Sequence, residues 1–306
     1  MDSVIRGSSS VHRLEILALL IVLILQAVPT DDAVGLPLLT RLAIPIDSSS
    51  ASVWSEAMSG APAVGIIILN PANGPGNGSD PGVAQLVARA QGKGISVLGY
   101  VYTEWADGNV SLQQAEGWID HYYAWYHVDG IMLDEANDTC GPAAFGFYQA
   151  LYAYVKSKPS PATVMLNPGK ATGECYAGVS DVLLTFEDSY GVYLSDYHQN
   201  SWTTSFPPGH FFHIVLGVST AVEMESVVIT AIDRGAGWVF VTDLNVSSGN
   251  PYGSLPPYFD REVAYLSDGN SAVGTSSSML PAIVILGATA SASALVVIRS
   301  RKKVPR

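Results

Sequence analysis

The chain has 306 residues, which is enough for one large domain or two small ones, and it is 48% hydrophobic but only 14% charged. Its formal net charge of −12 argues against nucleic acid and polyanionic substrates, and it is compatible with neutral or cationic glycans. Two terminal segments account for much of the high apolar fraction.

The first of these segments lies near the N-terminus, where Leu14 to Val28 reads LEILALLIVLILQAV. Arg6 and Arg13 precede it and a polar stretch follows, which is the organisation of a secretory signal. The small-residue cleavage pattern behind it is weak. Residues 1–32 are therefore predicted to be either a signal peptide or an uncleaved N-terminal anchor.

Residues 33–266 alternate short apolar runs with helical patterns. Eight strands are predicted, at 41–46, 64–70, 95–103, 129–135, 162–168, 182–188, 211–217 and 238–243. Runs that are apolar on both faces and separated by helices predict a parallel sheet covered on both sides. Eight such units predict an α/β fold, the (β/α)8 or TIM barrel. An open doubly wound sheet is the alternative, but it usually has fewer strands, and the GxGxxG that often marks its first turn is absent from the sequence.

The second apolar segment is near the C-terminus. A flexible linker is predicted at 267–278, and residues 279–298 form an uncharged run long enough to cross a bilayer. The basic tail at 299–306 marks the cytoplasmic side of such a helix. We therefore expect a single-pass protein of the cell surface, with residues 33–266 outside and the membrane contacted through the C-terminal helix.

There are two cysteines, Cys140 and Cys175. An exported chain lives where disulfides persist, and an even count fits one bridge. Both residues fall in predicted loops, just after the neighbouring fourth and fifth strands. The sequence therefore predicts a disulfide between them.

Polar side chains follow the predicted strands at their carboxyl ends, where barrels of this type carry their active sites. Asp134 and Glu135 come directly after an apolar strand, and Glu187 follows another. These three acids are the catalytic candidates. Residues of the same strand ends and the aromatic residues beside them, whose faces stack on sugar rings, are the substrate-binding candidates: Asp47, Asn70, Tyr100, Tyr102, Asn167, Asp188, Tyr190 and Asp243. The alternative is that Asp and Asn at these positions only cap helices or start turns.

The alternation of side chains along a strand indicates which of the three acids face the barrel interior. It sends Asp134 and Glu135 to different sides, so at most one of them is a direct inward extension of its strand. Glu187 shares a face with Thr185, the one polar residue of its run, which suggests that this face lines the barrel interior. We therefore expect Glu187 to be one direct participant and one residue of the Asp134–Glu135 pair to be the other.

Other chemistries lack their motifs. The sequence has no HExxH for zinc, no GxSxG nucleophile elbow and no GxxxxGK[ST] phosphate loop. An acidic metal site at Asp134, Glu135 and Asp138 is the alternative, but the spacing of these residues does not indicate a metal-binding loop that we would rely on. We predict neither a metal nor a cofactor.

Several stretches together resemble spherulation-specific family 4, the spherulin-4-like group classed as glycoside hydrolase family 135. They are IILNPANGPGNG, GKGISVLGYVYTEW, WYHVDGIMLDE, VMLNPG, TFED and GWVFVTDL with NPYGSLPPYF, and they run in order from about Leu42 to Leu266. The resemblance implies a (β/α)8 fold and hydrolysis of α-1,4-linked galactosamine or N-acetylgalactosamine polymers. The family's acidic residues fall on Asp134, Glu135 and Glu187.

The sequence thus predicts a cell-surface glycosidase that acts on a polysaccharide through two carboxylates, one as acid and one as nucleophile or base. Retention and inversion both stay open, as does the assignment of roles. The competing hypothesis is a glycan-binding or surface-layer protein without catalysis on the same barrel. A carbohydrate deacetylase would need a metal-binding histidine cluster, which the sequence lacks.

Overall fold

A computed structural model describes residues 40–47, 49–158, 162–247 and 249–268. Within these residues eight parallel strands follow one another in chain order, and the pairing of the first with the last closes the barrel. The strands are β1 Arg41–Ile46, β2 Val64–Leu69, β3 Ser96–Tyr102, β4 Gly130–Asp134, β5 Thr163–Leu166, β6 Val182–Ser189, β7 Phe211–Leu216 and β8 Trp238–Val241. The predicted parallel eight-stranded barrel is confirmed, and its closure excludes the open sheet.

Helices cover the outside of the barrel. They are α1 Ala51–Ser59, α2 Pro81–Gln91, α3 Leu112–Tyr126, α4 Pro142–Lys156, α5 Tyr190–Ser195 and α6 Ala221–Asp233, with a further helix at 259–268. Short 3-10 turns lie at Glu104–Ala106, Glu174–Val179, Ser201–Ser205 and Pro208–His210. The Asp80 side chain caps α2 and the Ser111 side chain caps α3, by accepting backbone N–H groups of the first turn.

The barrel is held by burial of its strands on both faces. Every residue of β2 and of β7 is buried, as expected for a parallel sheet packed inside and outside. Helix and strand approach closely at Gly99, where an added Cβ would lie 2.4 Å from the ring of Tyr122 on α3. The hydroxyl of that tyrosine donates to the Leu69 carbonyl oxygen at 3.1 Å. A glycine in β3 thus lets α3 contact two strands at once.

The predicted disulfide between Cys140 and Cys175 is confirmed, with the two Cα atoms 6.0 Å apart. It joins the loop that precedes α4 to the 3-10 turn that follows β5. The bridged residues are 35 positions apart, and closing a loop of that size contributes about 3–4 kcal/mol in the chain-entropy model. The bridge therefore ties together the loops that leave two neighbouring strands.

The predicted signal or anchor at 1–32, the helix at 279–298 and the tail at 299–306 lie outside the described residues. Among the residues that are described, no helix combines the length and the apolar character needed to cross a membrane. The helix at 259–268 includes the first two residues of the predicted linker, and the Ser267 hydroxyl donates to the Val263 carbonyl oxygen at 2.8 Å.

Candidate active site

A small cavity of about 120 Å³ opens at the carboxyl ends of the strands. Three of the strands each supply two residues to its lining, an apolar residue and a polar residue two positions later. Both residues of such a pair face the cavity because alternate residues of a strand share a face. These pairs are Pro45 with Asp47, Ile68 with Asn70, and Met132 with Asp134; Asn73, Tyr100, Asn167, Glu187, Ile214 and Tyr252 complete the lining. The inward faces of the strands thus end in a polar rim around an apolar base.

Asn167 is the central residue of this pocket. Its side-chain N–H groups donate to Asp134 Oδ1 at 2.6 Å and to Glu187 Oε2 at 2.8 Å. Because one nitrogen reaches both oxygens, these oxygens cannot be further apart than the sum of the two distances, about 5.4 Å. One buried amide therefore holds two carboxyl groups in a close pair.

Backbone bonds fix Asn167 in this position. Its N–H donates to the Leu133 carbonyl oxygen at 2.9 Å, and its own carbonyl accepts from the Ala136 N–H at 2.7 Å. The Gly169 N–H donates to Asn167 Oδ1 at 2.7 Å, so the amide nitrogen is left to face the acids. Gly169 has a φ of 72°, a left-handed conformation that suits glycine, and its carbonyl accepts from the Glu187 N–H at 3.0 Å.

Each carboxyl group of the pair also receives a tyrosine hydroxyl. Tyr100 donates to Asp134 Oδ2 at 2.6 Å, and Tyr252 donates to Glu187 Oε1. Burial, together with the charge of the bonded carboxylate, raises the pKa of both tyrosines far above the ordinary value. The two hydroxyls therefore keep their protons and act as hydrogen-bond donors to the acids.

The environment of Asp134 favours its protonated form. Burial and the nearby charge of Glu187 raise the pKa of Asp134 to about 6, although hydrogen bonds from Tyr100 and Asn167 oppose the shift. A carboxyl group with this pKa exchanges its proton near neutral pH. It has the property that a general acid or base requires.

Asp47 forms a second polar cluster on the opposite side of the pocket. Its carboxylate accepts from the Asn70 side chain at 2.9 Å and from the Asn250 side chain at 3.1 Å, and burial raises its pKa. Its backbone N–H donates to the Tyr252 carbonyl oxygen at 3.1 Å. These bonds fold the loop after β8 over the barrel, which brings Tyr252 to Glu187.

Glu135 takes a different path from its neighbour. It has a φ of 49°, so the chain turns at this residue, and its side chain is outside the pocket that Asp134 lines. Burial and the charges of Asp134 and Glu104 raise the pKa of Glu135. The structure therefore places only Asp134 of the adjacent acids in the barrel interior, as strand alternation predicts.

The prediction that Thr185 lies on the same inward face of its strand as Glu187 is wrong. The β6–β7 register shifts between Leu184 and Phe186, and this irregularity breaks the alternation along β6. The Thr185 hydroxyl lies 3.1 Å from His213 Nε2 and accepts from the Tyr197 hydroxyl at 3.3 Å, in a buried cluster away from the pocket. Glu187 nevertheless lines the pocket, because the bulge resets which residues face inward.

The structure brings Asp47, Asn70, Tyr100, Asn167, Asp134 and Glu187 together in one pocket. Five predicted site residues are not in its lining: Tyr102, Glu135, Asp188, Tyr190 and Asp243. Asp188 is exposed at the end of β6, and Tyr190 begins α5. Within the described ranges, no group of three or more His, Cys, Asp or Glu side chains is arranged to hold a metal ion.

Sequence reasoning missed three pocket residues or contacts: Asn73, Asn250 and Tyr252. Asn73 lies in the Gly-rich loop after β2, and the other two lie in the stretch NPYG after β8. Both loops are rich in turn-forming residues, which indicates turns but not the direction in which they fold. The resemblance did mark both stretches, and that was the available signal.

Comparison with known proteins agrees with this architecture. The profile of spherulation-specific family 4 matches residues 45–266. The chain belongs to this family. A curated relative is Spherulin-4 of Physarum polycephalum. It is 26% identical to this chain over 237 residues, which cover 73% of this chain and 69% of that protein.

Solved structures share the fold of this chain, and two of them show the degree of similarity. Aspergillus clavatus Sph3, crystallised in complex with GalNAc, matches with a TM-score of 0.64 and 20% identity over 75% of this chain and 98% of that one. Active domain 2 of the Pyrococcus furiosus chitinase matches with a TM-score of 0.50 and 13% identity over 75% and 95% of the two chains.

The pKa of Asp134 gives a stability prediction for the Asp134→Asn variant. In the wild type the folded-state pKa of about 6 exceeds the ordinary value of 3.8, so the stability that protonation provides is lost as the pH rises through about 6. The amide stays neutral throughout. Relative to the wild type, the variant's free energy of unfolding should rise by roughly 1–3 kcal/mol between about pH 4 and about pH 7.

Urea denaturation of both proteins at the two pH values measures this difference. Asp188→Asn, the same chemical change at an exposed carboxylate, is the control. A difference between Asp134→Asn and wild type that does not change with pH would show that Asp134 is not held in a proton-favouring environment.

Proposed function

We propose that this protein is a glycoside hydrolase that cleaves an amino-sugar polysaccharide, with α-1,4-linked galactosamine or N-acetylgalactosamine as the substrate class. The observation that carries the proposal is the pair of carboxyl groups, Asp134 and Glu187, bridged by the Asn167 amide within one pocket. Most glycosidases need such a pair on either side of the scissile bond. Membership of the family and the complex of its structural relative Sph3 with GalNAc support the choice of sugar.

The separation of the pair favours retention of the anomeric configuration. The bridged oxygens are at most about 5.4 Å apart, which fits the ~5–5.5 Å of retaining enzymes better than the ~6.5–9.5 Å of inverting ones. Asp134, with its raised pKa, protonates the leaving oxygen while Glu187 bonds to the anomeric carbon. Asp134 then takes a proton from water as the water oxygen displaces Glu187, which restores both groups.

The electrostatics of the pocket suit a neutral or cationic sugar. Among the described residues that line it are three carboxyl groups, those of Asp47, Asp134 and Glu187, and no lysine or arginine. An amino group or a hydroxyl on the substrate can donate hydrogen bonds to such acceptors. An anionic sugar would be repelled, so the amino-sugar class is the better fit.

Substitution of the two acids tests the chemistry. Glu187→Gln and Asp134→Asn keep the shapes of the side chains and remove their ionisable groups, so each should lower the hydrolysis of an α-1,4-linked galactosaminide polymer by at least about a hundredfold. Glu135→Gln, which changes an acid outside the pocket, should cost less than either. Release of reducing ends and mass spectrometry of the products measure the rate.

Glu56→Gln is the matched control, because it makes the same change at an exposed residue of α1. Near-full activity in both Glu187→Gln and Asp134→Asn would overturn the assignment of these residues. A wild type that binds the polymer without cleaving it would instead support the glycan-binding alternative.

We also infer that the barrel is displayed at the cell surface by the segment at 279–298. The uncharged run and the basic tail behind it support this location, and the four Asn-X-Ser/Thr sequons at Asn77, Asn109, Asn137 and Asn245 are compatible with export. The confirmed disulfide agrees with an oxidising compartment.

Truncation after Ser276 tests the anchor. The shortened protein should leave the membrane fraction and appear as a folded, secreted domain, because it lacks the apolar run. Fractionation followed by immunoblotting compares it with the full chain. Sedimentation of the truncated protein with membranes would show that the anchor lies elsewhere, with the N-terminal segment as the remaining candidate.

A further inference from the structure

Trp105 is an exposed aromatic residue beside the pocket. Its side chain is 50% exposed, and it belongs to the loop that leaves the carboxyl end of β3. Exposed apolar residues are common singly and usually need no explanation. Trp105 differs from the others because of the backbone that carries it.

That backbone is strained. Glu104, Trp105 and Ala106 follow one another with φ values of 47°, 55° and 57°, a left-handed turn without glycine. Residues with a Cβ rarely adopt this conformation, and three in succession persist only where the surrounding structure holds them. Strain of this kind concentrates at functional sites, where it fixes a side chain in a required position.

The turn is held by the segment that carries the candidate acids. The Trp105 N–H donates to the Glu135 carbonyl oxygen at 2.6 Å. The preceding Thr103 hydroxyl contacts the carbonyl oxygens of Asp134 and Glu135 at 2.7 and 3.1 Å, and it also lies 3.0 Å from the buried Tyr148 hydroxyl. The backbone of Trp105 is therefore fixed to the segment that supplies Asp134 to the pocket.

The pocket itself is too small for a polymer. Its volume of about 120 Å³ is well below the roughly 300–1,000 Å³ of clefts that enclose a small-molecule ligand, so it encloses at most a small part of a polysaccharide. The remaining residues of a polysaccharide must lie on the surface around the mouth. The loop that carries Trp105 lies at this mouth, because it leaves β3 directly beside Asp134 and is bonded to the Glu135 carbonyl oxygen.

We propose that Trp105 is a stacking platform for a sugar residue of the substrate that lies outside the pocket, adjacent to the one being cleaved. The inference rests on the proposed function. An indole packs its face against the apolar C–H face of a pyranose, and it also attracts an ammonium group, so protonated galactosamine would be favoured twice. The strained, anchored turn fixes the backbone that presents the ring, which lowers the entropic cost of binding.

Binding to a catalytically impaired protein tests the platform. We use the Glu187→Gln background and an α-1,4-linked galactosamine hexasaccharide, with affinity measured by calorimetry and the indole followed by its fluorescence. Adding Trp105→Ala should weaken binding about threefold to tenfold, the usual scale of an aromatic contact. Trp105→Phe should recover most of the affinity while removing the fluorescence change, because phenylalanine stacks without the indole signal.

Ile229→Ala is the matched control, because Ile229 is also 50% exposed but lies on α6, away from the β3 loop. Circular dichroism establishes that every variant is folded. Equal affinity of the Trp105→Ala and parent proteins would overturn the platform and leave the proposed function standing. Failure of the parent to bind either a galactosamine or an N-acetylgalactosamine hexasaccharide would overturn both.

Discussion

One side-chain amide, that of Asn167, holds two like-charged groups together at the mouth of the barrel. Two carboxyl groups in a poorly hydrated pocket repel one another, and the repulsion raises the energy of the doubly ionised state. The two N–H groups of Asn167 offset part of this cost, because one donates to each acid. The result is a pair that is close enough to act on one bond, and in it Asp134 readily carries a proton near neutral pH.

The parallel barrel makes this arrangement possible. Asp134 ends β4, Asn167 directly follows β5 and Glu187 lies near the end of β6, so three consecutive strands deliver the three groups to the same edge. Backbone hydrogen bonds then fix the positions of these residues along the barrel axis. The Asn167 N–H donates to a carbonyl oxygen of β4, and the Glu187 N–H donates to that of Gly169. Groups built on strands are positioned more accurately than groups on loops, which favours preorganisation of the site.

Loops add the second layer of support. The Cys140–Cys175 disulfide joins the segments that follow β4 and β5, next to the strands that carry Asp134 and Asn167. On the far side, Asp47 holds the loop after β8 and so places the Tyr252 hydroxyl on Glu187. The disulfide and the Asp47 contacts each join residues that are far apart in sequence. Each therefore stabilises the geometry of the pocket across several strands.

The sequence predicted the barrel because its strands are buried on both faces, and such strands are continuous apolar runs that are easy to recognise. It predicted much of the pocket for a related reason: the polar residue that ends each run, such as Asp47 or Asp134, marks the carboxyl edge. The face of Thr185 was wrong because a bulge in β6 depends on pairing with β7, which periodicity does not contain. Tyr252 was missed because its position depends on hydrogen bonds to Asp47, which is distant in the chain.

The most direct test is a pH titration of the Asp134 carboxyl group. It is monitored by ¹³C NMR of labelled Asp and Glu side chains, in the wild type and in Asn167→Ala. Asp134 should titrate with a pKa of about 6 in the wild type, and loss of the Asn167 donor should move this titration to higher pH, because the donor stabilises the charged form of Asp134. The shift requires no substrate and no assumption about the reaction. An Asp134 that titrates near its ordinary value of 3.8, or a titration that Asn167→Ala leaves unchanged, would contradict the claim that the bridged pair is the centre of the site.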